Sequence, residues 1–249
     1  MARRFIVDKD NIEIMDKETE IFKICGKEVK HIQVLRHEIG DEIIVNDCIA
    51  KINEIRKDSI LLEKLGNAPK VGVPNTHLTL YIAMLKNEKI DYVIQKATEL
   101  GCSKIVPFFS KNTIVKLDEK SCKKRREKLQ VIADEACKQC GRTDRVYVED
   151  ILYFNDIMQG IKDTDACIFA YEKSDSSLKS EIEKVKKLKK ANEIYDISLI
   201  IGPEGGFDEK EANTLCGISN VYCVSLGSRI LRADTAAINL ISVIMYEFE

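Results

Sequence analysis

Residues 197–217 read ISLIIGPEGGFDEKEANTLCG, and their order decides the class of fold. ISLII is a short apolar run of strand length. Asp208 and Glu211, three positions apart, form a capping box for a helix over DEKEANTLCG. Gly202, Gly205 and Gly206 therefore occupy the turn between a buried strand and a helix. Strands that pass directly into helices build parallel sheets covered on both faces, and ligands of such sheets gather at the carboxyl ends of the strands. Glycines at that point let backbone groups approach a ligand without intervening side chains. Taken alone, a tight strand-to-helix turn explains them equally well. The loop lacks both the GxGxxG pattern of dinucleotide sites and the GK[ST] ending of phosphate loops.

The same alternation extends outward on both sides. HLTLYIAML (77–85), KIVPFF (104–109), DACIFAYE (165–172) and VYCVSLG (221–227) read as strands. In NEKIDYVIQKATELG (87–101), Ile90, Val93, Ile94, Ala97 and Leu100 share one helical face, and Gly101 is placed to end the helix. A long helix over about 120–141 carries the stripe Leu129, Ile132, Ala133, Ala136, Cys137, Cys140. ADTAAINLISVIMYEF (233–248) closes the chain as an apolar helix, and SSLKSEIEKVKKLKKANE (176–193) reads as a solvated one. Before residue 70 the pattern differs. RRFIV, GDEIIVND and two runs around the turn at Lys57-Asp58 predict short strands, with one helix over GKEVKHIQVLR. LGNAPKVGVPN (65–75) is the linker. The expectation is an α/β protein in two domains: residues 1–70, rich in β-structure, and residues 71–249, with a mostly parallel sheet.

The bulk numbers exclude some functions. A net charge of −2 over 249 residues rules out a globally basic nucleic-acid binder, although not a local basic patch. No apolar run is long enough to span a membrane, and MARRFIVDKDNIEIM lacks the apolar core of a secretory signal. Nine cysteines without a regular spacing suggest reduced thiols in the cytoplasm. Cys137 and Cys140 form a CxxC with no second pair to complete a zinc site, so the reading is small buried hydrophobes and no metal.

A second glycine-bearing loop, SLGSRILRADTAA (225–237), also leaves a strand and enters a helix, at about Asp234. Arg229 and Arg232 stand before that helix in apolar surroundings, either paired with surface carboxylates or facing a pocket shared by the two loops. Glu135, Gln139 and Arg142 are spaced to share a polar face of the long helix.

Together these segments resemble the RsmE-type methyltransferases of the SPOUT superfamily. KNEKIDYVIQKATELG, ADEACKQCGR, IGPEGGF and LGSRILRADTAA match its conserved segments in order, and GKEVKHIQVLRHEIGDEIIV matches its N-terminal domain. Two departures stand out. Asp234 occupies a position usually held by glutamate, and Lys111 lies where the family commonly has an arginine beside a serine.

The resemblance implies a C-terminal SPOUT trefoil-knot domain and an N-terminal PUA-like β-barrel. It also implies methyl transfer from S-adenosylmethionine to N3 of a uridine in 16S ribosomal RNA, within the assembled small subunit, by a cytoplasmic homodimer. The implied cofactor residues are Ala170, Tyr171, Gly202, Pro203, Glu204, Gly205, Gly206, Leu226, Gly227, Ile230, Leu231 and Thr235. Arg232, then Arg142, is the expected stabiliser of the uridine anion; Asp234, Glu135 or solvent is the proton acceptor. No histidine lies beyond position 77, and His31 reads as structural. Arg3, Arg4, Arg36 and Lys111 are the expected RNA contacts, with KKRREK (123–128) as a basic run. The alternatives are a SPOUT enzyme acting on another RNA base or ribose, or a non-catalytic RNA-binding module. A nucleotide-dependent oxidoreductase is disfavoured by the absent GxGxxG.

Overall fold

A computed structural model of the chain describes residues 3–16, 19–86, 88–188 and 193–249. It divides into two compact units: Met1–Val73 with Cys137–Arg145, and Pro74–Ala136 with Val146–Glu249. Asn87 and residues 189–192, parts of two expected helices, lie outside the described residues.

The first unit is a six-stranded sheet. Its strands are β1 (Arg4–Phe5), β2 (Ile12–Asp16), β3 (Ile21–Cys25), β4 (Glu42–Val45), β5 (Cys48–Ile55) and β6 (Ser59–Asn67), in the order β1-β4-β5-β6-β3-β2. All neighbours run antiparallel except β1 and β4. Alternation sets the core: Ala50 and Ile52 point inward on β5, Ile60 and Leu62 on β6. Helix α1 (Lys27–Val34) adds Val29 and Ile32 to these, beside Phe5, Ile24 and Ile43. His31 faces Phe5 edge-on and lies 3.1 Å from Glu28 Oε2, which fits its structural reading. β2 and β3 were not legible as separate strands.

The second unit is a parallel sheet. Its strands are β7 (His77–Ala83), β8 (Lys104–Phe109), β9 (Tyr147–Val148), β10 (Leu152–Tyr153), β11 (Ala166–Ala170), β12 (Asp196–Ile201) and β13 (Val221–Val224). The order is β10-β8-β7-β12-β11-β13, with β9 on β8. Every pairing is parallel. Leu78–Ala83 and Ile197–Ile201 are buried almost without a break, as strands covered on both faces must be. The helices are α2 (Glu88–Glu99), α3 (Glu119–Cys140), α4 (Met158–Lys162), α5 (Leu178–Val185), α6 (Glu209–Cys216) and α7 (Ala233–Phe248). α2 packs on α7. Gly101 ends α2 at φ +111°, where an added Cβ would lie 2.7 Å from Met245 Cε.

Three sequence expectations change. The helix expected over 176–193 is shorter and amphipathic, since α5 buries Ile182 and Val185. Cys140 is exposed rather than part of an apolar stripe. The nine cysteines are not all thiols: Cys216 and Cys223 are joined as a disulfide, because the turn between α6 and β13 brings their Cα atoms to 6.2 Å. Among the described residues no helix is long and apolar enough to cross a membrane.

Candidate functional site

Three adjacent parallel strands, β12, β11 and β13, end at one cavity of about 700 Å³. β11 contributes Ala170 and the Tyr171 that follows it. β12 contributes the turn from Gly202 to Phe207, and β13 the loop from Ser225 to Arg232. Every residue expected at the cofactor lines this cavity except Thr235, and Arg229 and Arg232 line it too. Lys89 and Glu172, which no spacing in the sequence marked, complete the wall. A signal existed for Lys89, in that it stands in the first turn of α2 at the carboxyl end of β7.

The turn after β12 is held from every side. Phe207 plugs into the core against Phe108, Phe154 and Phe169, with ring centroids 5.0–6.3 Å away. A Cβ at Gly202 would lie 2.7 Å from the Phe207 ring, so only glycine leaves room for that plug. Gly206 sits at φ +69°, a conformation that favours glycine. Asn112 Nδ2 donates to the Gly206 carbonyl at 3.2 Å. Glu204 accepts from the Lys86 backbone N–H at 3.2 Å and pairs with Lys89 at 3.5 Å. Asp208 and Glu211 cap α6 reciprocally, as the sequence led us to expect. Lys111 donates to Asp208 at 2.6 Å, which holds that carboxyl below its usual range.

The loop after β13 is different. Gly227 lies at φ +114° with open space where a Cβ would point, Gly227 through Ile230 are exposed, and Ile230 is 89% exposed. Arg232 is exposed and takes the N-cap position of α7 in extended conformation. Two residues on, Asp234 has a buried Oδ1 without a hydrogen-bond partner.

The remaining expected residues fall elsewhere. The face predicted to join Glu135, Gln139 and Arg142 does not form. α3 stops at Cys140, Gly141 turns the chain at φ +77°, and Arg142 is buried in the first unit. There its Nε donates to Asp144 at 3.0 Å. Arg3 and Arg36 are exposed in the first unit, whereas Arg4 is half-buried and donates to the Asn46 carbonyl. Burial lowers the Arg4 guanidinium from its ordinary value.

Residues 73–245 match the family model of the RNA methyltransferase domain. Ribosomal RNA small subunit methyltransferase E of Bacillus subtilis is 35% identical over 100% of this chain and 98% of its own. The protein of that name from Rickettsia conorii is 30% identical over 84% of this chain and 82% of its own. This chain belongs to that family. A crystal structure of a hypothetical protein shares 30% identity and superposes with a TM-score of 0.78 over 99% of both chains. The Neisseria gonorrhoeae methyltransferase E, solved bound to S-adenosyl methionine, has the same fold. Its TM-score is 0.77 at 23% identity, over 98% of this chain and 97% of that one. Family membership therefore rests on the whole length of the chain, both units included.

Proposed function

We propose that the chain transfers a methyl group from S-adenosylmethionine to N3 of a uridine in 16S ribosomal RNA. One observation carries the reading: two glycine loops from the ends of β12 and β13 face one cavity, with two arginines on its wall. The cavity fits the cofactor. Gly227 leaves open space at its Cβ position, and the glycines at 205 and 206 present backbone rather than side chains. Backbone groups of both loops would hold the adenine and ribose, with Ala170, Tyr171, Leu226, Ile230 and Leu231 as apolar walls and Pro203 and Glu204 shaping the turn. Thr235 remains in the proposal one turn into α7. When bound, the cofactor supplies an electrophilic methyl on a positively charged sulfur that leaves as a neutral thioether.

The residues of the chain have the harder task, since uridine N3 carries a proton and is a poor nucleophile until it is lost. Arg232, on the cavity wall, would stabilise the negative charge that develops on the base. Arg142 is the weaker choice, because its guanidinium already bonds Asp144. Asp234, two residues from Arg232 with an unpartnered oxygen, stays the first choice of proton acceptor, with Glu135 or solvent as the alternatives.

The first unit, with exposed Arg3 and Arg36, would act as a PUA-like RNA-binding barrel, and the second as a SPOUT knot. Support for the knot is the strand order, in which β12 inserts beside β7 and β11 beside β13. Exposed Ile230 and Tyr246 support a homodimer. The expected substrate is the assembled small subunit, in the cytoplasm.

The test is methyl transfer from labelled S-adenosylmethionine to undermethylated small subunits and to naked RNA, with the base mapped. A single N3-methyluridine is expected; a methyl on another atom rejects the proposed specificity. Arg232→Ala should lower kcat by roughly 100-fold, the scale of losing one donor to a developing anion, with cofactor affinity within about threefold. Equal loss of both would remove its catalytic role.

A further inference from the structure

The segment 110–117, which follows β8, and the first turns of α6 enclose a second cavity of about 740 Å³ in the same unit. It shares no lining residue with the cofactor cavity. Contacts join them: Asn112 bonds the Gly205 and Gly206 carbonyls, and Phe154 of this cavity meets Phe207 of the other at 6.3 Å.

One wall is aromatic. Phe109 and Tyr153 lie with ring centroids 5.7 Å apart, and Tyr153 is 65% exposed at the rim. The rest of the lining includes charged residues. Both of its acids are already engaged: Asp208 accepts from Lys111 Nζ at 2.6 Å, and Glu211 from the Lys111 backbone N–H at 2.9 Å. That leaves Lys116 and Lys210, which make no ion pair among the described residues. Lys111, expected from sequence to contact RNA, is thus held by the cap of α6, and the uncommitted positive charge belongs to its two neighbours in the cavity.

An open aromatic face beside two unpaired ammonium groups matches a nucleotide. Every base has a face that stacks on an aromatic ring, and its phosphate requires cations. The base must be unpaired, because duplex RNA hides its faces. We propose that this cavity takes a nucleotide flanking the methylated uridine, its base stacked on Tyr153 and its phosphate at Lys116 and Lys210. This rests on the RNA-methyltransferase reading above and adds a specificity-determining subsite to it.

The experiment measures binding of naked undermethylated 16S RNA and of undermethylated small subunits to the full chain. Methyl-transfer kinetics and cofactor calorimetry accompany it. Tyr153→Ala should weaken RNA binding about 10-fold, within the range for losing one stacked base, and Tyr153→Phe should restore it to within twofold. Replacing Lys116 and Lys210 together by Gln should weaken binding and lower the slope of log affinity against log salt by about one. In each case KM for RNA should rise while cofactor affinity holds. Unchanged RNA affinity in these variants, with the native chain still methylating RNA, overturns the subsite and leaves the enzyme reading intact. A loss confined to assembled subunits assigns the cavity to a ribosomal protein and also overturns it. No RNA binding or methylation by the native chain defeats the parent reading and this one with it.

Discussion

The two glycine loops that face the proposed cofactor cavity are built with opposite physics. The turn after β12 is anchored by a buried phenylalanine, an amide, an ion pair and a helix cap. The loop after β13 is largely exposed, and among the described residues its internal side-chain bonds join only the Ser225 hydroxyl and Gly227. The first is held by contacts within the protein; the second has few of them. An ordered loop contributes affinity at little entropic cost, whereas a loop that orders on binding loses conformational freedom at that moment. Exposure of the second loop suits the side that carries Arg232, whose proposed task begins only when the base is present.

Breaking the anchored loop should have the largest effect. Gly202→Val drives a side chain into the Phe207 ring, and we expect cofactor binding to be lost with about 1–3 kcal/mol of stability, the usual cost of overpacking. Calorimetry and thermal unfolding measure both. Retained binding would mean the turn is not preorganised. Next comes Gly227→Ala, which meets no atom and suffers only from its positive φ. About 1–2 kcal/mol of local strain should appear as roughly 5- to 30-fold weaker cofactor binding with little change in unfolding temperature. A large fall in stability would show that this loop, too, is part of the rigid frame.

The smallest effect is a pH dependence. Bonding to Lys111 lowers the Asp208 carboxyl below 3.8 and raises the Lys111 ammonium above 10.5. For Asp208 the stabilisation is present above 3.8 and lost as pH falls through the lowered native value. For Lys111 it is present below 10.5 and lost as pH rises through the raised one. Lys111→Met should therefore lower the urea midpoint slightly between those limits and leave it unchanged at the acid extreme. Lys111 is exposed and Asp208 only partly covered, so a large shift would mean the pair has a burial that the structure does not give it.

Much of this site was legible because its signals are local. An apolar run, a glycine turn and a cap three residues long placed Gly202–Asp208 between strand and helix, and the same grammar placed Gly227 and Arg232. What escaped depended on distant segments. Periodicity carried the long helix through Arg142, but Gly141 ends it, and the following residues pack with the first unit. Lys89 and Glu172 reach the cofactor cavity from separate strand ends. The two-residue strands β9 and β10 are too short for alternation to register. The second cavity takes its walls from three stretches about forty to fifty residues apart, so no window of sequence contains it.

The bond from Asn112 to the Gly206 carbonyl has a thermodynamic corollary. It ties the segment lining one cavity to the backbone of the other, so on the proposed assignment occupancy of either would bias the geometry available to its neighbour. Binding free energies are reciprocal: whatever factor RNA imposes on cofactor affinity, cofactor must impose on RNA affinity. On the proposed assignment of the two cavities, any such factor would read the same from either side, and Asn112 is the residue through which it would pass.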